Sequence, residues 1–333
     1  MDLRKVQEMG GGTNLVSLPK DWVNRNKVCK GTILSVEDDK NETLLISPFT
    51  DEKQNLRETV LSYPDEYVEN LVNRITGAYL LGYDVIKIVG KQRMKFEERD
   101  KIKKSITQLV GLEILEEDAQ TITAQFLLQS TAIYPEKILR RMHVISREMY
   151  KDALTALTEN DEHLVKVAFD RDDEVDRLYF LLVRLVRSSM LDMKLANKFQ
   201  LTPINCLDYR VAANLIESIG DAAVEISVNV MSIMKVGLNN EICKILGNAS
   251  IVLEKIQDLA VNRFLTKNMK GGHEVITECK ELSRKLQTIE DSFFNESPQI
   301  VRSVLGTIEA FHKVSRLSMD IADLTFPIYP INR

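Results

Sequence analysis

Three kinds of hydrophobic pattern succeed one another along the chain. Over residues 1–50 the apolar and β-branched residues come in short runs. "RKVQEMGGGTNLVSLP" places them on both sides of three glycines, and "GTILSVEDDKNETLLISP" reads as a hairpin with a polar turn at Asp38–Asn41. "KDWVNRNKV" between them predicts one short helix after Pro19. Over 51–130 both periods mix. Tyr67, Leu71, Ile75 and Tyr79 recur at helical spacing with Gly82 as a stop. "DVIKIVG" reads as a buried strand, "EERDKIKKSITQLVGL" as a helix with a basic exposed face, and "EILEEDAQTITAQFLL" as two strands or one bent one.

From Pro135 onward the period is helical almost throughout. It predicts helices over 135–158, 161–196, 203–236, 240–268, 273–294 and 298–325, with breaks at "ENDE", "QLTP", "VGLNN", "NMKGG" and "NESP". Long helices with short connections make a bundle. The stretches 201–227 and 296–322 both open on Ser/Thr-Pro and share apolar spacing, which fits two three-helix units in tandem. The predicted fold class is multidomain α+β: a small N-terminal β domain over 1–50, an α/β module over 51–130, and an all-α part divided into 135–236 and 238–326.

Composition narrows the function classes. The chain has 333 residues, 28% of them charged, and a net charge of −5, which argues against a surface coated by nucleic acid but leaves room for one small DNA-reading module. No run of eighteen apolar residues is free of charge, so no membrane-spanning helix is expected. The N-terminus lacks an apolar signal core, giving a cytoplasmic expectation. Cys29, Cys206, Cys243 and Cys279 form no C-x-x-C, so reduced core thiols are expected rather than disulfides or a zinc knuckle. No Ser-His-Asp or Cys-His grouping can be assembled from His143, His163 and His273, and no enzyme is predicted. Met142 and Met149 are expected in the core.

The unusual chemistry lies in "FDRDDEVDRLYFLLVRLV" (169–186), where Asp172 and Asp176 stand inside a helix that must be buried. Acids favour helix N-termini, but that influence fades within the first turn. With Asn160 or Asp161 as the cap, Asp172 is about three turns in. Like charges at i and i+4 cost roughly 0.2–0.5 kcal/mol. Either the pair lies on a solvated face with Arg171 and Arg177 beside it, or something cationic stands between acids. The following helix repeats the pattern with Glu217 and Asp221. On a helical wheel Leu215, Ile219, Ala222 and Ile226 share one face, with Asn214, Glu217, Asp221 and Glu225 opposite. Two neighbouring helices would each offer a carboxylate pair, and oxygen-only ligands suit a hard cation: Mg²⁺, Mn²⁺, Ca²⁺ or iron, divalent or trivalent. Gly220 costs its helix about 1 kcal/mol against alanine, which is consistent with close helix approach.

"DDEVDRLY" and "ESIGDAAVEI", with "LDYR" upstream, resemble the phosphate-uptake regulator (PhoU) family over roughly 135–325. The resemblance implies two tandem three-helix bundles and carries metal-binding acid motifs onto Asp172/Asp176 and Glu217/Asp221. The family's usual arginine is replaced by Ser218, and in the second repeat the matching positions are His312 and Arg316, so one metal site is expected.

The front of the chain, "EMGGGTNLVSLPKDWV" followed by "KGTILSVE" and "LLISP", resembles the SpoVT/AbrB-type swapped-hairpin domain over roughly 3–48. About fifty residues of short strands bury too little surface to fold alone; the resemblance implies a homodimer of interleaved hairpins. It also implies DNA contacts, with Arg4, Lys5, Asn14, Lys20 and Arg25 as candidates. "RKVQ" also suits a solvated edge strand guarded by lysine. The joint order of modules resembles archaeal-type regulators of phosphate uptake. That reading expects a non-enzymatic, homodimeric regulator with a DNA-binding N-terminus and a metal-binding bundle. The alternative is an interaction protein that docks on a phosphate transporter or signalling kinase, its N-terminal domain only dimerising. A third reading, a metal-dependent phosphatase-like enzyme, would need an open coordination position and a base. The role of 51–130 is left unassigned.

Overall fold

The structure is a computed structural model and describes residues 3–39, 43–49, 56–128, 133–237, 240–268, 272–290 and 297–325. The chain divides into two compact units, Met1–Asn55 and Leu56–Arg333.

In the first unit, strands β1 (Gln7–Met9) and β2 (Thr13–Leu15) pair antiparallel across the three glycines, two of which, Gly11 and Gly12, take the positive φ this turn needs. Helix α1 (Lys20–Arg25) follows Pro19. Strands β3 (Leu34–Asp39) and β4 (Thr43–Pro48) form the second antiparallel pair, with Val36 opposite Ile46. The turn expected at Asp38–Asn41 runs into residues 40–42, outside the described ones. Among the described residues of this unit none is buried, and Leu3, Ile33, Val36 and Leu44 are each more than half exposed.

The second unit opens with a four-stranded sheet of order β5-β6-β8-β7. Strand β5 (Glu58–Tyr63) runs parallel to β6 (Val85–Gly90) through the crossover helix α2 (Val68–Leu80), as a parallel pair requires. Helix α3 (Phe96–Thr107) leads to β7 (Leu112–Glu117), which turns back antiparallel into β8 (Thr121–Phe126), so "EILEEDAQTITAQFLL" is a hairpin of two strands. Leu71, Ile75 and Tyr79 face the core as their spacing predicts, whereas Tyr67 is the exposed residue preceding the helix. Gly82 ends this helix in the left-handed region (φ 80°).

The helical part contains α4 (Pro135–Glu159), α5 (Glu162–Leu191), α6 (Met193–Phe199), α7 (Pro203–Val236), α8 (Asn240–Thr266), α9 (Gly272–Glu290) and α10 (Pro298–Asp323). The predicted helix 161–196 is two. Asp192 is extended; its side chain caps α6 by accepting from the Lys194 and Leu195 amides. Helices α4, α5 and α7 pack on one another, as do α8, α9 and α10, and the two triplets join through α4 on α8 and α7 on α10. Thr202-Pro203 and Ser297-Pro298 start the third helix of each triplet in the same way, hydroxyl on the N3 amide and proline in the first turn. Met142 and Met149 are core, and Cys206 and Cys243 are buried free thiols, but Cys29 is exposed. No helix among the described residues is long and apolar enough to cross a membrane.

Candidate metal centre

Helix α5 is capped by Asp161, whose carboxylate accepts from the His163 amide, while Asn160 (φ 57°) closes α4. Asp172 and Asp176 are therefore beyond the reach of the helix N-terminus. Opposite them, α7 runs antiparallel. Tyr179 Oη lies 3.3 Å from Asn214 Oδ1, and a Cβ placed on Gly220 would stand 3.5 Å from Val175 Cγ1 and 3.6 Å from Asp172 Oδ1. Those separations are ordinary van der Waals contact. The helices do approach closely at Gly220, yet a methyl group would fit, so sterics alone do not demand glycine. The buried face of α7 is Ile216, Ile219, Ala223 and Ile226. Glu217 is half-buried, turned towards α5 rather than fully opposite the core, and Asp221 is exposed.

Asp172, Asp176 and Glu217 are each disfavoured as anions by burial and by neighbouring carboxylates. Burial, then Asp176 and Asp221, pushes the Asp172 carboxyl up to about 6. Burial, then Glu217 and Asp221, pushes Asp176 up to about 6 as well. Glu217 is raised by burial and by Asp221, against a lowering from the Ser218 hydroxyl. The arginines that sequence places beside the pair do not compensate it. Arg171 pairs with Asp152, and Arg177 Nε donates to the Gln108 carbonyl at 3.1 Å. The solvated-ion-pair reading of Asp172 and Asp176 therefore lacks its cations. The donor set is oxygen-only, with Arg210 acting on Glu217 and no cation acting on Asp172 or Asp176, which suits a hard cation in chemistry. In spacing it is not drawn in: among the described residues no three His, Cys, Asp or Glu side chains converge on one ion-sized point.

The second triplet is unlike the first. Ser315 takes the place of Gly220, its hydroxyl 3.2 Å from Cys279 Sγ. His312 and Arg316 stand where α7 has Glu217 and Asp221, and α9 spends its acids elsewhere, Glu278 on Lys255 and Glu281 on Lys285.

In the N-terminal unit Arg4, Lys5, Asn14, Lys20 and Arg25 are all exposed. Arg4 Nη1 lies 3.4 Å from Ser17 Oγ, Asn14 stands opposite Glu8 in the β1–β2 pair, and Lys20 and Arg25 occupy the two ends of α1.

Two polar constellations escape sequence reasoning. Arg184, 2% exposed, donates from Nη1 to the Tyr79 and Tyr83 carbonyls, both at 2.8 Å, and from Nη2 to Asp84 Oδ1 at 3.1 Å; its guanidinium lies 3.9 Å from the Phe126 ring centroid. A charged residue inside "LLVRLV" was the available signal. Between α4 and α8, Tyr150 Oη donates to Gln257 Oε1 and Gln257 Nε2 to Ser146 Oγ. Beside them Asp258 bonds His143 Nε2 and accepts from Arg147, contacts that lower its proton affinity. His143 thus has a partner, but a structural one.

Residues 139–230 match the family model of the PhoU domain, which spans most of α4 and runs through α5 and α6 into α7. The fold is similar to PhoU from Pseudomonas aeruginosa (16% identity, TM-score 0.50, 57% of this chain and 93% of that one). A phosphate transport system regulatory protein PhoU from Streptococcus pneumoniae aligns at 12% identity and TM-score 0.49, over 57% and 91% of the two chains. At 16% identity the likeness to the Pseudomonas aeruginosa protein is one of fold. No curated protein matches the chain in sequence.

Proposed function

We propose that this protein is a non-enzymatic regulator of phosphate uptake, homodimeric through its N-terminal unit, in which the α5–α7 seam holds a hard cation and the N-terminal dimer contacts DNA. The observation that carries the reading is the seam itself: two acid couples on facing helices, with Asp172 and Asp176 pushed up to about 6 and Arg210 acting on Glu217, inside the stretch that matches the PhoU domain. Asp172, Asp176, Glu217 and Asp221 would hold the ion, and the ion would supply the positive charge that relieves their repulsion. Dimerisation is supported by the first unit's uncovered apolar residues, Ile33, Val36 and Leu44 among them, because a unit with no buried residue among those described needs a second surface to hold its strands.

The alternative, a bundle that docks on a transporter or kinase with the N-terminal unit only dimerising, draws support from the scatter of the basic candidates and from Glu8 and Asp21 beside them. Metal content of the desalted protein beside Asp176→Ala tests the seam. Retained Mn²⁺ or Mg²⁺ that Asp176→Ala loses is the expected result; equal metal in both rejects it. Electrophoretic shift of the upstream DNA at low salt, with Arg4→Ala/Lys20→Ala as control, separates the two readings, since phosphate contacts weaken with salt and with loss of cations.

A further inference from the structure

The sheet of the α/β module ends on two unlike edges. At one edge stands β7, which carries the devices that keep a strand from pairing with another chain. Three of its six residues are glutamates, Glu113, Glu116 and Glu117, and its register on β8 shifts between Ile114 and Glu116. At the other edge stands β5, with β6 as its one strand neighbour among the described residues. Here the guards are missing. The register runs without a break from Glu58 opposite Val85 to Tyr63 opposite Gly90. The strand holds no lysine, arginine or proline, and its single charge, Glu58, is taken up by Lys87 at 3.0 Å. Val60, in its middle, is 59% exposed.

The direction of the backbone groups of β5 follows from its bonds to β6. The Arg57 and Tyr63 carbonyls accept from the Val85 and Lys91 amides, so the odd-numbered residues of the strand turn their amides and carbonyls to β6. Those of Glu58, Val60 and Ser62 point to the open edge. An antiparallel second copy centred on Val60 meets all three residues at once. Val60 then stands opposite Val60 of the other copy and Glu58 opposite Ser62, and each such pair exchanges two hydrogen bonds. Sliding the copies until Glu58 opposed Glu58 would set like charges face to face and lose pairs.

We infer that β5 is a docking edge for a second copy of this chain: two α/β modules join edge to edge, antiparallel about Val60, into one continuous sheet. The twofold axis passes beside Val60 and makes the contact isologous. The inference rests on the homodimer proposed above, because six residues of strand pairing are marginal by themselves. Residues 49–57 separate β4 from β5, a tether of at most about 30 Å. Dimerisation of the first unit therefore turns pairing of the two edges into an intramolecular event.

Cross-linking in the full chain tests it. Hydrogen-bonded antiparallel residues stand about 5.5 Å apart at Cα, within the range a disulfide bridges. With the exposed Cys29 replaced by serine, Val60→Cys should form a covalent dimer on mild oxidation or with a short bismaleimide, and Glu113→Cys at the other edge should not. Hydrogen exchange supplies a second readout. Val60→Lys, at an exposed position, should speed exchange over residues 58–62 about tenfold or more and leave β6 and α2 as in the wild type. Light scattering reports the oligomeric state independently. A wild-type dimer without the Val60→Cys cross-link, or with β5 amides exchanging as fast as in Val60→Lys, overturns the edge pairing and leaves the homodimer reading standing. A monomer overturns both. If Ile33→Asp/Val36→Asp in the first unit stays dimeric and still cross-links through Val60→Cys, dimerisation through the N-terminal unit falls and the edge pairing stands.

Discussion

Removing one seam carboxylate should stabilise the metal-free protein, against the usual direction of mutation. Asp176 ordinarily titrates near 3.8 and is pushed up to about 6 in the fold, so at pH 7.5 folding must hold an ionised group where it is disfavoured. At 1.36 kcal/mol per pH unit this is about 3 kcal/mol in a dry seam. Asp176 is only half-buried, and screening by water reduces the figure to about 1 kcal/mol. Because the folded-state value is raised, the folded protein binds a proton that the unfolded chain has released. Wild-type stability therefore rises as pH falls from 7.5 through about 6 towards 3.8. Asp176→Asn in chelator should show a higher urea midpoint than wild type at pH 7.5, and the advantage should shrink by pH 5. Saturating Mn²⁺ should reverse the order, since a ligand at a hundred times its Kd adds about 2.7 kcal/mol to the protein that binds it. An Asn variant less stable than wild type in chelator, by the same margin at both pH values, would refute the electrostatic account of the seam.

Other substitutions probe the packing around it. Arg184→Met should lose about 1–3 kcal/mol in urea denaturation, leaving the Tyr83 carbonyl without this donor while Asp84 keeps the Arg57 amide and the Tyr79 carbonyl the Gly82 amide, and Arg184→Lys should recover only part of that because an ammonium lacks the guanidinium fork. Gln257→Leu should lose about 1–3 kcal/mol by orphaning the Tyr150 hydroxyl, and Tyr150→Phe/Gln257→Leu should regain much of it; a strictly additive double-mutant cycle would contradict the hydrogen bond's role. Gly82→Ala should lose about 1–2 kcal/mol in the same assay through its positive φ alone, with the Ser188 contact adding to it.

Local signals were the legible ones. Helix periods, the Ser/Thr-Pro starts of α7 and α10, the Asp161 cap and the two acid pairs all depend on residues within a turn or two of each other. What stayed hidden depends on distant partners. Asp192 breaks a helix whose apolar period runs straight through it, because capping competes with continuation only once α6 can fold back. Strand β5 was not anticipated, since a parallel strand is defined by a neighbour beyond a whole helix. The partners of Arg184 lie about a hundred positions upstream, so pattern alone records an oddity and not a lock. The seam stands between these cases: its residues were readable, but that Arg171 and Arg177 turn away from it was not.

The burial of 181–186 also decides where this molecule can be dissected. Deleting everything before the first long helix would take away the Tyr79 and Tyr83 carbonyls, Asp84 and the Phe126 ring, and lay the buried Arg184 side of α5 open to water. Such a fragment would look like a complete bundle on paper and would aggregate in the tube, whereas a truncation that begins at Leu56 keeps the wound closed.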